Sequence, residues 1–368
     1  MIAGEPVSSG LTVAGPELAR ADFRHSPDGA AEKRPERRAR PGVFVVAFSA
    51  ILVMALALGE ILARLTFHPV SPPPAGAADV HPLNPAGFHD VEHEVAKPAG
   101  TYRLMCLGDS FTFARGIPFN DTFCRRAGAQ LEQHLGAKGQ AEHVEEINIA
   151  REGLSTVREV QMLERHHALD LAPDVLVLGF VLNDPEDESR PAELKELHEP
   201  VLRREPAGWL APLTHASRLA DLTFERVENT RRYHALVHYY RELFHDDYPG
   251  WPMCQASFQH LAELTRASGT HVLVVIFPLL DFQLDSHYPF RRLHERAAAL
   301  AHANGFEVLD LLPVYAPHEG PGLVRFPGFD PHPSVEAHHL AARAISTEIE
   351  RLGWMKAAPL LSKFPSGA

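Results

Sequence analysis

The stretch Arg103–Gly116, RLMCLGDSFTFARG, carries an apolar run of strand length straight into Gly108-Asp109-Ser110. An apolar run that stops at a small polar triplet reads as a buried strand and the turn that ends it. Four more short runs follow, Glu146–Ile149, Val175–Val181, Val272–Phe277 and Val308–Leu311, each β-branched or Leu-rich. Helical spacing fills the intervals at Asp121–Leu135, Thr156–Ala168, Ser257–Ala267 and Phe290–Ala303, and a last helix, Val335–Leu352, stops at Gly353. Strands that alternate with helices predict an α/β fold whose parallel sheet is covered on both faces.

Ligands reach such a sheet at the carboxyl ends of its strands. The polar residues there are Gly108-Asp109-Ser110 after the first strand, Asn148 and Gly153 in NIAREG after the second, and Asn183 and Asp184 after the third. Asp330 and His332, in FDPHPS, precede the final helix. A serine hydroxyl is a poor nucleophile until a base takes its proton. A histidine of ordinary pKa near 6.5 can do so at neutral pH, and a carboxylate fixes its tautomer. The amide N–H groups of Ser110 and Gly153 and the Asn183 carboxamide can serve the oxyanion that forms. Asp109 is read as a brace and cap of the turn, and Asp184 as structural.

With these residues in order, the sequence resembles the SGNH (GDSL-type) hydrolases, in the branch anchored to bacterial membranes. Ser110 in GDSFT, Gly153, Asn183 in ND and His332 in DPHPS match the four signature positions. The resemblance spans about residues 84 to 352 and includes NPAGFHD and PDVLVLGFVLND. It implies a catalytic Ser110, His332 and Asp330, and an oxyanion hole of Ser110, Gly153 and Asn183. Two positions depart from the pattern. Val181 stands where the family often has glycine, and Asp330 precedes His332 by two residues rather than three. In extended backbone, residues two apart point the same way, so the shorter spacing still lets the carboxylate reach the ring.

Gly42–Ala63, GVFVVAFSAILVMALALGEILA, has Ser49 and Glu60 as its only polar side chains, and roughly 22 residues at about 1.5 Å each span a bilayer core. Six cations lie in the twenty residues before it and only Arg64 in the twenty after, which predicts a cytoplasmic N-terminus and an extracytoplasmic remainder, periplasmic or at the cell surface. A cleaved signal peptide is the rival, since Ala55-Leu56-Ala57 has the small-x-small form. The fold class expected is therefore α/β, a three-layer flavodoxin-like sandwich with a central parallel five-stranded sheet, plus one N-terminal transmembrane helix. The expected organisation is a disordered cytoplasmic tail at 1–41, the transmembrane helix at 42–66, a Pro-rich linker at 67–100, a hydrolase domain at 101–356 and a tail at 357–368. Within the domain, about 185–252 is expected as an insertion of short helices.

The formal charge of -12 leaves no basic surface for nucleic acid. With no Walker A and no GxGxxG, no cofactor is expected. His234 and His238 have the spacing of a helical metal pair, but without an HExxH they are read as a helix face, and no metal is expected. His338-His339 are read as solvated. Three cysteines, Cys106, Cys124 and Cys254, allow at most one disulfide, whose pairing stays open. The expected activity is a serine esterase acting outside the cytoplasm on an acylated small molecule or an O-acylated envelope glycan. The alternatives are transfer of the acyl group to an envelope polysaccharide and a non-catalytic domain that binds glycan or a partner.

Overall fold

The computed structural model describes residues 41–67, 83–138, 143–318, 321–327 and 330–355. The tails expected at 1–41 and 357–368 and the first part of the linker fall almost wholly outside them. The chain divides into two compact units, 1–58 and 59–368. The described part of the first is the start of helix α1 (Pro41–Thr66), whose side chains from 42 to 58 are all exposed. This helix is long and apolar enough to cross a membrane.

The second unit holds the last turns of α1 and then, in chain order, β1 (Thr101–Gly108), α2 (Ser110–Phe113), α3 (Phe123–Lys138), β2 (His143–Ala150), α4 (Thr156–Arg165) and β3 (Val175–Phe180). The insertion contributes α5 (Pro191–His198), α6 (Ala211–Ala216) and α7 (Arg218–Leu243). Next come α8 (Gly250–Ser268), β4 (His271–Ile276), α9 (Arg291–Ala303), β5 (Glu307–Asp310) and α10 (Leu312–Tyr315). A hairpin of β6 (Val324–Phe326) and β7 (Asp330–Pro333) precedes α11 (Val335–Arg351).

The five main strands form one parallel sheet in the order β2-β1-β3-β4-β5, the flavodoxin-like order. Right-handed crossovers send α3 to one face and α4, α8 and α9 to the other. Accordingly α3 packs on α11, and α4 packs on α8, which touches α9. β1 and β3 are buried along their whole length, which is why they read as unbroken apolar runs rather than as alternating ones. The crossover direction reverses between β1 and β3, and that switch point is where ligands meet such sheets.

Two expectations need correcting. Residues 83–100, expected as linker, are built into the second unit. Phe88, His89 and Asp90 are buried, and the Asp90 carboxylate accepts from the backbone N–H of Asn148 in β2 at 2.7 Å. Arg103, fully buried in β1, donates to the carbonyls of Glu94 (2.7 Å) and Val95 (3.1 Å) and pairs with Glu145 at 2.6 Å. Pro and Gly content suggested an extended strap, but one apolar ring and two buried charges hold it down. The insertion is also not made only of short helices, since α7 runs 26 residues. Nothing between Arg218 and Leu243 is Gly or Pro, and Ser217 caps its amino end by accepting from Ala220 N. α8 likewise starts at Gly250, before the expected Ser257, because Pro252 falls in its first turn, where no amide donor is missed.

Candidate active site

At the carboxyl end of β1 the chain turns at Asp109 into α2, and Ser110 is the first residue of that helix. Asp109 accepts from Phe111 N at 2.9 Å, so it caps α2 as the sequence reading expected. Gly108 is needed for room rather than for conformational freedom. A Cβ on it would stand 2.2 Å from Thr112 Oγ1, and one on Gly179, its register partner in β3, would stand 2.4 Å from the same atom. The two glycines form a notch that admits Thr112 and so seats α2 on the sheet. Ala114 ends α2 in the left-handed region at φ 57°.

His332 Nε2 lies 2.9 Å from Ser110 Oγ, and its Nδ1 lies 2.5 Å from Asp330 Oδ1. These three therefore form one hydrogen-bonded line, although 222 residues separate Ser110 from His332. Asp330 and His332 share the short strand β7, and extended backbone brings both side chains to one side despite the two-residue spacing. Asp330 Oδ1 also accepts from His332 N at 3.1 Å. Its other oxygen faces Arg325 Nη1 at 3.3 Å, across the hairpin. The Phe111 ring packs on the imidazole with centroids 5.3 Å apart.

Burial acts to depress the His332 imidazolium, but the hydrogen bond and charge of Asp330, with Asp109 and Glu152 behind it, outweigh burial and hold the pKa above 6.5. The His332 hydrogen bond, with Arg325 further off, keeps Asp330 below the usual carboxylate range. Asp109 is pushed up to about 6 by burial, against the backbone N–H of Phe111 and the charge of His332.

A cavity of about 230 Å³ opens over Ser110, lined also by Arg115, Ile117, Glu152, Arg325 and His338. Gly153 follows Glu152 in the turn after β2, at φ 68°, and among the described residues nothing lies within 4 Å of a Cβ built on it. Glu152 pairs with Arg115 (Nε to Oε1 2.5 Å), which ties this turn to the chain leaving α2. Asn183 lies in the turn after β3, and its side chain helps to counter the upward shift of the Asp109 carboxyl, the neighbour of Ser110. Val181 is buried, and its backbone is not in the left-handed region, so glycine is not required there.

Asn148 is buried within β2 and donates to the Thr112 carbonyl at 3.2 Å, so it braces α2 and does not face the cavity. His338 is not solvated: it is buried, accepts from Phe123 N at 3.2 Å, stacks on the Phe123 ring and is held down to about pKa 3 by burial. His339, half-buried, lies 3.0 Å from Asp121. His234 packs edge-on against Tyr233, and His238 lies 3.5 Å from Glu242. No group of three potential ligands for a metal ion occurs among the described residues. Cys106 and Cys124 form the disulfide, and Cys254 is free and buried.

The sequence reading missed Arg325. Its signal was Gly116, where a Cβ would stand 1.8 Å from Arg325 Nη2, but a glycine after Arg115 reads as any turn glycine until the partner that fills its space is known.

Residues 106–340 match the GDSL-like Lipase/Acylhydrolase family. No curated protein matches the chain. Among solved structures it is similar to TesA, at 15% identity over 68% of this chain and 99% of that one, with a TM-score of 0.39. It is similar to the lipase Lip_vut3 from a goat rumen metagenome, at 16% identity over 67% and 96%, with a TM-score of 0.41. It is also similar to a catalytic mutant of Axe2, an acetylxylan esterase from Geobacillus stearothermophilus, at 14% identity over 70% and 97%, with a TM-score of 0.40.

Proposed function

Because the chain belongs to the GDSL-like lipase/acylhydrolase family, we propose that it is a serine esterase that cleaves acyl or acetyl esters outside the cytoplasm through an acyl-Ser110 intermediate. The observation that carries this reading is the line Asp330–His332–Ser110, with contacts of 2.5 and 2.9 Å. Asp330 accepts from Nδ1–H of His332, which leaves Nε2 with its lone pair toward the Ser110 hydroxyl. Ser110 Oγ attacks the ester carbonyl as its proton passes to Nε2, and the charge that develops on the carbonyl oxygen is met by the N–H groups of Ser110 and Gly153 and by the Asn183 carboxamide. Collapse breaks the ester C–O bond, and the departing alcohol takes the proton from Nε2. Water then attacks the acyl-serine, gives its proton to the same nitrogen, and releases the acid as the proton returns to Ser110.

The cavity of about 230 Å³ suits a short acyl group better than a long chain. The Cys106–Cys124 disulfide favours an oxidising compartment, and the cation bias before α1 favours the same side of the membrane for the site. An O-acetylated glycan of the envelope is the substrate class these features support.

The test is labelling with a fluorophosphonate together with hydrolysis of aryl acetates, without added metal. The expected outcome is an adduct on Ser110 by mass spectrometry. In Ser110→Ala, labelling should be lost and turnover should fall to the background that the remaining donors sustain. An adduct on another serine, or undiminished turnover in Ser110→Ala, overturns the reading.

A further inference from the structure

The last two turns of α1 and the junction between α6 and α7 are joined by contacts that the hydrolytic site does not use. Glu60 accepts from Ser217 Oγ at 2.8 Å and from the backbone N–H groups of Arg218 and Leu219, both at 2.9 Å. A carboxylate of one helix thus satisfies the open amides at the start of another. Arg64 donates to the Ala216 carbonyl at 2.8 Å and to Glu60 at 2.6 Å, and Arg218 donates to the Phe67 carbonyl at 3.3 Å. Gly59 lets the junction approach closely, since a Cβ on it would lie 3.2 Å from Leu219 Cδ2.

The position of this tie along α1 is informative. From Gly42 to Gly59 no side chain is ionisable, and Glu60 and Arg64 are the only ionisable groups before the helix ends at Thr66. At about 1.5 Å per residue those 18 residues span roughly 27 Å, close to the hydrocarbon thickness of a bilayer. Glu60 is thus the first ionisable group that α1 carries after that stretch.

On the insertion side of the tie stands Ala207–Leu213, AGWLAPL, seven residues without a polar side-chain group other than the indole N–H. Trp209 is 81% exposed and Leu213 53%, so two large apolar side chains of this stretch lie open to solvent. α6 advances only about 9 Å, so both sit within a few turns of the Ala216 carbonyl that Arg64 holds.

We propose that Ala207–Leu213 is a membrane-seated foot, which rests in the phospholipid headgroup layer of the bilayer that α1 crosses, with the Trp209 indole at the interface and Leu213 against the upper acyl chains. An indole combines apolar area with one N–H donor and is favoured at that depth. The chain that enters the bilayer at α1 is the chain whose Glu60 and Arg64 fix the foot, so bilayer and foot are brought together by covalent continuity rather than by chance encounter. The proposal rests on α1 as a membrane anchor and is independent of the esterase chemistry.

The full chain, reconstituted into phosphatidylcholine vesicles with a minor share of phosphatidylglycerol, is compared with the same chain in vesicles of tail-dibrominated phosphatidylcholine. Of its three tryptophans, Trp251 is buried in the protein, so bromine contact is read against Trp209→Phe, which keeps an aromatic ring there. The expected result is that the wild type floats with the vesicles and loses the Trp209 share of its emission to bromine, whereas Trp209→Phe floats but is scarcely quenched. Glu60→Ala should float and lose most of the quenching. A floating wild type quenched no more than Trp209→Phe overturns the foot and leaves the anchor standing. A chain that does not float overturns the anchor and the foot with it.

Discussion

Asp330 divides its two oxygens between His332 and Arg325, and that division decides how the imidazole behaves. His332 can act as a base only when neutral. Its pKa is held above 6.5, chiefly because Asp330 outweighs burial, so activity should fall as the pH falls through a value above 6.5 and be full on the alkaline side. Asp330→Asn removes the group that raises this pKa and leaves Nδ1–H without its carboxylate. It should lower turnover by about 10³ to 10⁴ and move the acid limb downward. A pH–rate profile of aryl acetate hydrolysis reads both, and an unmoved limb with near-normal turnover would mean that Ser110 and His332 work as a dyad. Gly108 gives a steric prediction at the same scale. In Gly108→Ala the new methyl must displace Thr112, with backbone of Gly179 at 3.1 Å closing the other side. Ser110, two residues before Thr112, moves with it, and turnover should drop by about 10²-fold, since a shift near 1 Å is enough to spoil alignment. Unchanged kinetics with a normal fold would show that α2 is not seated by this notch.

Among the elements, β1, β3 and β4 were readable because each is short, largely apolar and buried almost throughout, whereas β2 and β5 are only partly buried, so their apolar stretches showed but their starts at His143 and Glu307 did not. The same property singled out Ser110, Asn183 and His332 as candidates, since all lie just beyond apolar segments or before the last helix. The insertion was less readable. α7 buries fully only Glu228, Tyr239 and Leu243, so its sequence carries no strong apolar stripe from which its length could be read. The 83–100 segment was misread for the opposite reason, because a few buried groups among many Pro and Gly residues decide its place. The disulfide pairing was open in the sequence because it depends on which helix face meets β1. Cys106 in β1 and Cys124 in α3 are 18 residues apart, with Cα atoms 6.2 Å apart. Closing a loop of that size contributes about 3 kcal/mol in the chain-entropy view. For a unit this large, the double variant Cys106→Ala, Cys124→Ala should therefore melt roughly 5–10 °C lower by calorimetry. A midpoint equal to that of the wild type would mean that β1 and α3 hold together without the bond.

For the molecule as a whole, the informative charges are buried ones. Asp109, Glu159 and Asp184 are all within the protein beneath the site, each at 1% exposure or less. Neither Glu159 oxygen nor Oδ1 of Asp184 has a hydrogen-bond partner among the described residues. Burial, reinforced by mutual repulsion, raises the pKa of Glu159 and Asp184 well above the ordinary carboxylate value. The folded protein therefore holds protons that the unfolded chain has released, and its stability falls as pH rises from the unfolded pKa toward the raised folded one. For each such group the slope is at most about 1.4 kcal/mol per pH unit. Glu159→Gln supplies a neutral side chain of the same shape whose amide can donate to a neighbouring carboxylate, so it needs no proton from solvent. It should melt higher than the wild type at pH 8, and the gap should close as the pH is lowered to 5, where the wild-type carboxyl takes its proton at little cost. Scanning calorimetry across that range reads the sign directly. A gap that stays constant with pH, or a variant that melts lower at pH 8, would show that Glu159 is ionised in the fold and that the buried carboxylates are neutralised by a partner rather than by protons.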